Sequence, residues 1–456
     1  MIGSFSLHQI AEQLDARIVG PDAAFNSVSI DTRTLQSGDL FVALKGPAFN
    51  GHAFTDSARD KGASGLVVSE QVSTQLPALI VSDTREALGR IARLNRDQFK
   101  GKVLAITGSA GKTTVKEMAA SILSQIGNVL ATRGNFNNEI GVPLTLLRIT
   151  ADNDYAVLEL GASSIGEIAY TAALVEPDVA IITNAAEAHI EGFGSLNNVV
   201  QAKGEIIDGL PEQGVAVINV DDLNAYKWLQ RAGTRPVTTF SLSNKPEADF
   251  GADKIVINRS GACQFTLVTP QGEIDIVLQH LGKHNIANAL AAAAGAMVLG
   301  ASLMDIRAGL EQVQPVKGRM ISQQGINGAR VIDDTYNANP ESLRAAVDVL
   351  ALSQGYKILV LGDMAELGEE ALRNHADSAR YALDQGVNEL YSVGILSANA
   401  ARVFGDNGHA FSDKKTLIDA LSSRLDQDAT VLVKGSRSAQ MEQVVEAITG
   451  GKSNAL

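Results

Sequence analysis

A single cysteine, Cys263, leaves this chain of 456 residues unable to form an internal disulfide or a thiolate metal cluster. That fits a reducing, cytoplasmic setting. Basic residues are also short: 38 Lys and Arg against 51 Asp and Glu give a formal charge of −13. A field of that sign repels phosphate backbones, so neither nucleic acid nor an anionic membrane surface is an expected partner, and an anionic substrate needs locally placed donors. The opening stretch "MIGSFSLHQIAEQLDARI" has no basic segment followed by an apolar core, so it does not read as a secretory signal.

Charge is missing altogether from residues 286–304, "IANALAAAAGAMVLGASLM". That length reaches the roughly 18 residues of a membrane span. The run is mostly Ala and Gly, though, and Ala adds little to insertion beside Leu, Ile or Phe. A packed helix of a globular domain, with no membrane span, is the expectation. No repeat array or low-complexity tract is present. With 45% apolar residues and this length, about three packed domains are expected.

The first stretch, residues 1–84, reads as a small α/β unit: a helix at Leu7 to Leu14, apolar runs at Asp39–Leu44 and Gly65–Val68, then "PALIVSDT". Residues 85–314 change to strand, turn and helix, repeated. "KVLAITG", "YAVLELG", "VAIITN" and "GVAVINVDD" are continuous apolar runs, as in strands covered on both faces of a parallel sheet. "KTTVKEMAASILSQI" carries Val115, Met118, Ile122 and Ile126 at helical spacing. Residues 315–456 restart the pattern with "RVIDDTYNANP", a helix from Glu341, "KILVLGDM", "ELYSVG" and "TVLVKGS". The fold class is therefore α/β in three domains, the central one a doubly wound parallel sheet and the last Rossmann-like.

"LAITGSAGKTT", Leu104 to Thr114, ends as a phosphate loop does but starts differently. The usual pattern sets a Gly five positions before Gly-Lys-Ser/Thr, and Ile106 stands there, with Gly108 the first glycine available. Even so, Gly108 and Gly111 let backbone N–H groups face an anion at a helix N-terminus. Lys112 adds a cation for terminal phosphates, and the Thr113 hydroxyl suits a magnesium ion. An ordinary glycine turn before a helix is the competing reading of the same residues. Beyond neighbouring strand ends lie Glu159 in "VLELGAS" and His189 in "TNAAEAHIEGF", candidates for a metal site that singly also suit a surface or a helix cap.

"TGSAGKTT", "NFNNEIGVP", "LELGAS", "TNAAEAHIEGFGS", "QAKGEI", "GKHNIANALAAAA", "PVKGRM", "DDTYNANPES" and "VLVKGSR" follow one another in the order and spacing of the Mur ligases. The chain resembles that family almost from end to end, and the family uses the shortened loop. The resemblance implies an enzyme that activates a carboxylate with ATP as an acyl phosphate, which an amine then attacks to form an amide. Within the family the motifs most resemble the ligase joining D-alanyl-D-alanine to UDP-N-acetylmuramoyl-tripeptide, a cytoplasmic step of peptidoglycan precursor synthesis. They imply a UDP-sugar-binding first domain, an ATPase domain in the middle, and a third domain that binds the amino substrate and closes over ATP. A monomer is expected.

The resemblance also implies residue roles. Gly108, Ser109, Ala110, Gly111, Lys112, Thr113 and Thr114 would cradle ATP, with Lys112 on the β- and γ-phosphates. Thr113 and Glu159 would hold one Mg²⁺ and His189 a second. Asn288 would read the adenine, an amide being able to donate and accept at once. Arg319 would reach the phosphates and Asp334 the ribose. Lys203 in "QAKGEI" stands where the family carries a carbamylated lysine. An ammonium ~4 Å from Mg²⁺ would be repelled by about 8 kcal/mol at an effective dielectric of 20, whereas a carbamate attracts the ion. Ser29, Asp31, Thr32, Arg33, Lys45 and Gly46 are candidates for the UDP-sugar, in a segment that also reads as an ordinary polar loop. Asn135, Asn137 and Asn138 suit the peptide-sugar or turn chemistry equally. Tyr336, Asn337, Asn339, Ser436 and Arg437 are candidates for the dipeptide, the guanidinium pairing with its carboxylate.

Two competing readings have their own signatures. The family's ligase that adds the third amino acid usually carries Asp-Asn-Pro-Arg when diaminopimelate is its substrate, and the chain lacks that string. A GTPase-like, nucleotide-switched binding protein wants Asn-Lys-x-Asp; the nearest string, "NKPE" at Asn244, lacks the Asp.

Overall fold

The computed structural model describes residues 1–47, 49–187 and 190–450. Three parallel-rich sheets follow one another along the chain. The first has five strands in the order Arg17–Val19, Ala78–Ile80, Gly65–Val68, Leu40–Val42, Val28–Ser29, antiparallel only at the Arg17–Val19 edge. The apolar runs at residues 39–44 and 65–68 are its buried strands. The helix read at Leu7 to Leu14 is shorter, Leu7–Ala11, with Ser6 and Gln9 closing a capping box at its start.

The central sheet is parallel throughout, in the order Val129–Ala131, Tyr155–Glu159, Lys102–Thr107, Val179–Ile182, Val215–Asn219, Val237–Phe240. Alternate residues of its middle strands feed different cores. Val103 and Ala105 join a cluster that continues through Leu88 and Ile91 of helix Thr84–Gln98 into Leu40, Val67 and Leu79 of the first sheet. Leu104 and Ile106 face the opposite cluster, with Val115, Met118 and Ile122 of helix Lys112–Leu123. Burial on both sides is why these strands read as unbroken apolar runs. The helix stops at Leu123, so Ile126 packs from the following turn instead of extending the helical stripe.

A three-stranded antiparallel sheet, Gly251–Ile257, Ala262–Thr269 and Gly272–Leu281, follows the central strands and was not anticipated. Its signal is the alternation in "GEIDIVLQHL", where Ile276, Leu278 and His280 are buried and Asp275, Val277 and Gln279 exposed. The Ala-rich segment is helix Lys283–Val298, with every residue from Ala289 to Ala296 buried. Its small side chains permit close packing: a Cβ at Gly295 would stand 2.8 Å from the side chains of both Leu104 and Ile181. Among the described residues no helix is long and apolar enough to cross a membrane.

The last sheet has the order Ile321–Gln324, Arg330–Asp334, Ala429–Lys434, Tyr356–Gly362, Glu389–Val393, Gly408–Phe411, with only the first pair antiparallel. The helix expected from Glu341 begins one residue earlier, at Pro340. Asn339 caps it, and a proline is well placed in a first turn, where its missing N–H has no bond to lose.

Helix Leu303–Gln312 lies against the phosphate-loop helix so closely that a Cβ at Gly309 would be 2.4 Å from Ile122 Cα and 2.6 Å from its nitrogen. Backbone cannot yield as a side-chain tip can. Gly309→Ala should therefore cost about 1–3 kcal/mol of stability through overpacking. An unchanged urea midpoint would show that the two helices separate freely.

Candidate active site

Strand Lys102–Thr107 delivers its chain end into Gly108, at φ +152°, and Gly111, at φ +82°. Both positions need glycine for space as well. A Cβ on Gly108 would lie 1.9 Å from Thr183 Oγ1, and one on Gly111 2.4 Å from Asn288 Oδ1. The neighbouring strand's continuation, residues 183–186, clamps the loop from one side. Thr183 Oγ1 donates to Ala110 O at 2.6 Å, Ala110 N donates to Asn184 Oδ1 at 2.9 Å, and Ser109 exchanges bonds with Ala186 at 3.1 and 2.9 Å. Strand pairing puts Thr107 level with Ile182, which brings this segment alongside the loop. Neither Thr183 nor Asn184 was singled out in the sequence; their signal is the "TN" directly after an apolar strand run.

Lys112 opens the helix and donates to Gly108 O at 2.7 Å. Burial lowers the pKa of its ammonium, Glu159 opposes that shift, and Arg319 adds to it. Thr113 Oγ1 donates to Glu159 Oε2 at 2.8 Å and accepts from Arg319 Nη2 at 2.8 Å. The other Glu159 oxygen accepts from Asn137 Nδ2 at 2.8 Å. Behind them, Thr132 Oγ1 accepts from Glu159 N at 3.1 Å, and the buried Lys116 donates to Thr132 O at 2.7 Å. Lys116, Thr132 and Asn137 thus fix the carboxylate that faces the loop.

Lys203 lies near the end of helix Leu196–Gly204 and is 1% exposed. Its Nζ stands 5.2 Å from the centre of the Phe193 ring. The two nearby carboxylates are turned to backbone: Glu205 accepts from Gly166 N and Ala169 N, at 2.9 and 3.0 Å, and Glu167 from Ser163 N and Ser164 Oγ. Burial, with the charge of Lys112 second, pushes the pKa of Lys203 down to about 7. A large fraction of this amine is therefore neutral at neutral pH, unlike an exposed lysine near 10.4.

The helix Lys283–Val298 brings Asn288 against Gly111, and its amide nitrogen donates to Asn285 Oδ1 at 2.8 Å. Arg319 crosses from the C-terminal unit, with Cζ 4.2 Å from the centre of the Tyr336 ring. Asp334 forms a 2.5 Å ion pair with the buried Lys434 and accepts from Met320 N at 3.2 Å. Lys434 also donates to Asn337 O at 2.9 Å.

Other sequence candidates spend their side chains on nearby backbone or on neighbouring side chains. Asn138 accepts from Gly141 N at 2.9 Å at the start of helix Gly141–Leu146, and Asn339 accepts from Ser342 N at 2.8 Å. Asn135 lies in the exposed turn before them. Ser436 shares a 3.1 Å hydroxyl contact with Ser438, and Arg437 pairs with Glu442 at 3.1 Å. In the first unit Asp31 pairs with Arg33 at 2.6 Å, which pulls its carboxyl pKa down to about 2, while Ser29 Oγ donates to Asp31 O and Thr32 lies between them. Lys45, beside Gly46, pairs with Glu70 at 2.7 Å. His189 lies outside the described residues; just after it, Glu191 N donates to Glu366 O of the C-terminal unit at 3.3 Å.

Among the described residues no three His, Cys, Asp or Glu side chains gather as a metal cluster. The Thr113 hydroxyl and Glu159 carboxylate, 2.8 Å apart, are nevertheless hard oxygen donors of the kind magnesium takes, and magnesium keeps several waters and phosphate oxygens of its own.

Family models cover most of the chain: the Mur ligase family catalytic domain over residues 24–96, the Mur ligase middle domain over 106–296, and the Mur ligase glutamate ligase domain over 318–437. The chain belongs to the Mur ligase family. Its relatives include the UDP-N-acetylmuramoyl-tripeptide–D-alanyl-D-alanine ligase of Escherichia coli K12, 48% identical over 98% of each chain. The crystal structure of the Acinetobacter baumannii Mur ligase MurF matches at a TM-score of 0.93 and 36% identity, over 98% of this chain and 99% of that one. A Thermotoga maritima MurF ligase solved with ADP matches at 0.82 and 27%, over 93% and 97%.

If Asn184 fixes the phosphate loop of this Mur ligase, Asn184→Ala should weaken ADP binding about tenfold, the cost of leaving Ala110 N without its acceptor. Calorimetric titration would measure it. Unchanged affinity would mean that the loop holds its shape unaided.

Proposed function

We propose that this chain is an ATP-dependent carboxylate–amine ligase that joins D-alanyl-D-alanine to UDP-N-acetylmuramoyl-tripeptide, a step of peptidoglycan precursor synthesis in the cytoplasm, acting as a monomer. The observation that carries the reading is the meeting at Thr113: a phosphate loop, the Glu159 carboxylate and an arginine of the C-terminal unit share one hydroxyl. Residues 1–84 would bind the UDP-sugar, 85–314 ATP, and 315–456 the dipeptide.

In this reading the tripeptide carboxylate attacks the γ-phosphorus of ATP, ADP leaves, and the dipeptide amine displaces phosphate from the acyl phosphate to form the amide. Phosphoryl transfer depends mainly on positioning and on stabilising charge spread over the transferred oxygens. Lys112 and the N–H groups at the start of its helix, residues 111–114, would bind the phosphates, and Arg319 would reach them from the C-terminal unit. Thr113 and Glu159 would hold one magnesium ion, His189 a second, and the ions would supply charge neutralisation at the phosphoryl oxygens. Asn288 would face the adenine and Asp334 the ribose. Asn137, with Asn135 and Asn138, would line the approach of the peptide-sugar, whose UDP end would meet Ser29, Asp31, Thr32, Arg33, Lys45 and Gly46. Asn337, Asn339, Ser436 and Arg437 would receive the dipeptide. Closure of the C-terminal unit keeps water from the acyl phosphate.

Lys203 enters this scheme as a carbamate. Its neutral amine attacks carbon dioxide, an N–C bond forms, and one proton leaves to solvent, turning a neutral amine into an anion that can hold metal. The depressed pKa supports this, because only the unprotonated amine reacts. Lys203→Ala should lose about 100-fold or more in kcat, and wild-type enzyme freed of carbon dioxide should regain rate on adding bicarbonate. Full activity of Lys203→Ala would remove the carbamate from the mechanism.

The test of the whole reading is phosphate release from ATP with Mg²⁺ and UDP-N-acetylmuramoyl-tripeptide, with and without D-alanyl-D-alanine. Release that needs both, with a pentapeptide product by mass, is expected. Turnover only with a single diamino acid and the shorter precursor would reassign the acceptor.

A further inference from the structure

Arg319 spans the two larger units: it belongs to the C-terminal one, and its Nη2 donates to Thr113 Oγ1 of the central one at 2.8 Å. What fixes the plane of its guanidinium is not a hydrogen bond at the near end, because Arg319 Nε is buried without a partner. It is the Tyr336 ring, whose centre lies 4.2 Å from Cζ, well inside the ~6 Å reach of cation–π attraction. The backbone is tied to the same residue. Tyr336 N donates to Gly318 O at 3.0 Å, and Gly318, at φ +76°, passes so close that a Cβ there would be 3.1 Å from Tyr336 N. On the other side Met320 N donates to Asp334 Oδ1 at 3.2 Å. The turn bearing Arg319 is therefore fastened on both sides to the end of strand Arg330–Asp334 and the residues after it.

We infer that Tyr336 is a positioning residue for Arg319: its ring sets the plane in which the guanidinium meets the nucleotide phosphates, so it acts through ATP and not as a contact of the incoming dipeptide. A guanidinium binds phosphate as a flat fork, so the plane in which it is held decides how many of its bonds are made. The face that Arg319 covers is also closed to any other ligand. This assignment rests on the nucleotide reading of the phosphate loop given above.

The full-length protein is titrated calorimetrically with Mg²⁺ and a methylene-bridged, non-hydrolysable ATP analogue, so that no peptide substrate is needed. Tyr336→Leu should raise the analogue's Kd about fivefold to thirtyfold, and Tyr336→Phe, which keeps the ring, should stay within about twofold of wild type. In an Arg319→Met background the same Tyr336→Leu change should add almost nothing, since the partner of the ring is gone. In the ligation assay, KM for ATP should rise in Tyr336→Leu while KM for D-alanyl-D-alanine holds. The inference is overturned by any of three results: a Tyr336→Leu variant with unchanged analogue affinity and a raised dipeptide KM, full additivity with Arg319→Met, or a Tyr336→Phe variant that loses affinity through its hydroxyl. The last remains decisive should Tyr336→Leu not fold. Failure of ligation alongside ring-dependent analogue binding would count against the proposed substrates alone.

Discussion

Positive charge crowded around one carboxylate is the condition that the rest of this structure accommodates. Lys112 and Arg319 approach the Thr113–Glu159 pair from different elements; Arg319 lowers the pKa of Lys112, and Lys112 in turn lowers that of Lys203. The N-terminus of helix Lys112–Leu123 adds its own partial positive charge. Such a group repels itself and loses hydration on burial, so it persists only where stiff surroundings deny each member an escape into water. The same arrangement is what a triphosphate needs, because charge placed beforehand costs no reorganisation when the phosphoryl group moves.

The stiffness comes from the sheet. Parallel pairing sets Thr107 beside Ile182 and Ile106 beside Glu159, so three strand ends open at one level. Each then contributes one part of the site: a glycine loop, a carboxylate, and the Thr183-Asn184 clamp. The clamp bonds to the loop's own backbone at Ala110, leaving the N–H groups nearer the helix to face outward. Supporting residues such as Lys116 and Glu205 carry buried charge for the same purpose, the first holding Thr132 behind Glu159 and the second holding the start of helix Glu167–Val175 against the Lys203 helix.

The elements of this scaffold are legible in the sequence because each is a local pattern. A strand buried on both faces is a run of Val, Ile, Leu and Ala, and a phosphate loop is a glycine turn between such a run and a helix. The antiparallel sheet at residues 251–281 was hidden by its half-exposed character, which puts Asp253 into the first strand, Gln264 into the second, and Glu273, Asp275 and Gln279 into the third. Side-chain allegiance is harder to read. Asn137 and Asn138 are neighbours of the same type, yet one reaches Glu159 and the other caps a helix, and only the path of the backbone separates them. Asp334 gives no hint in sequence of its bond to Lys434, which comes from a strand that is last in the chain but adjacent in the sheet.

The Thr113 hydroxyl connects these themes, since it donates within the central unit and accepts from the C-terminal one. One oxygen thereby joins the Glu159 carboxylate to an arginine of the C-terminal unit. In the ligase reading, an arriving phosphate takes over the arginine's bond and leaves the Thr113–Glu159 pair where it is. The Tyr336 ring, 4.2 Å from Cζ, would stay beside the guanidinium through that exchange.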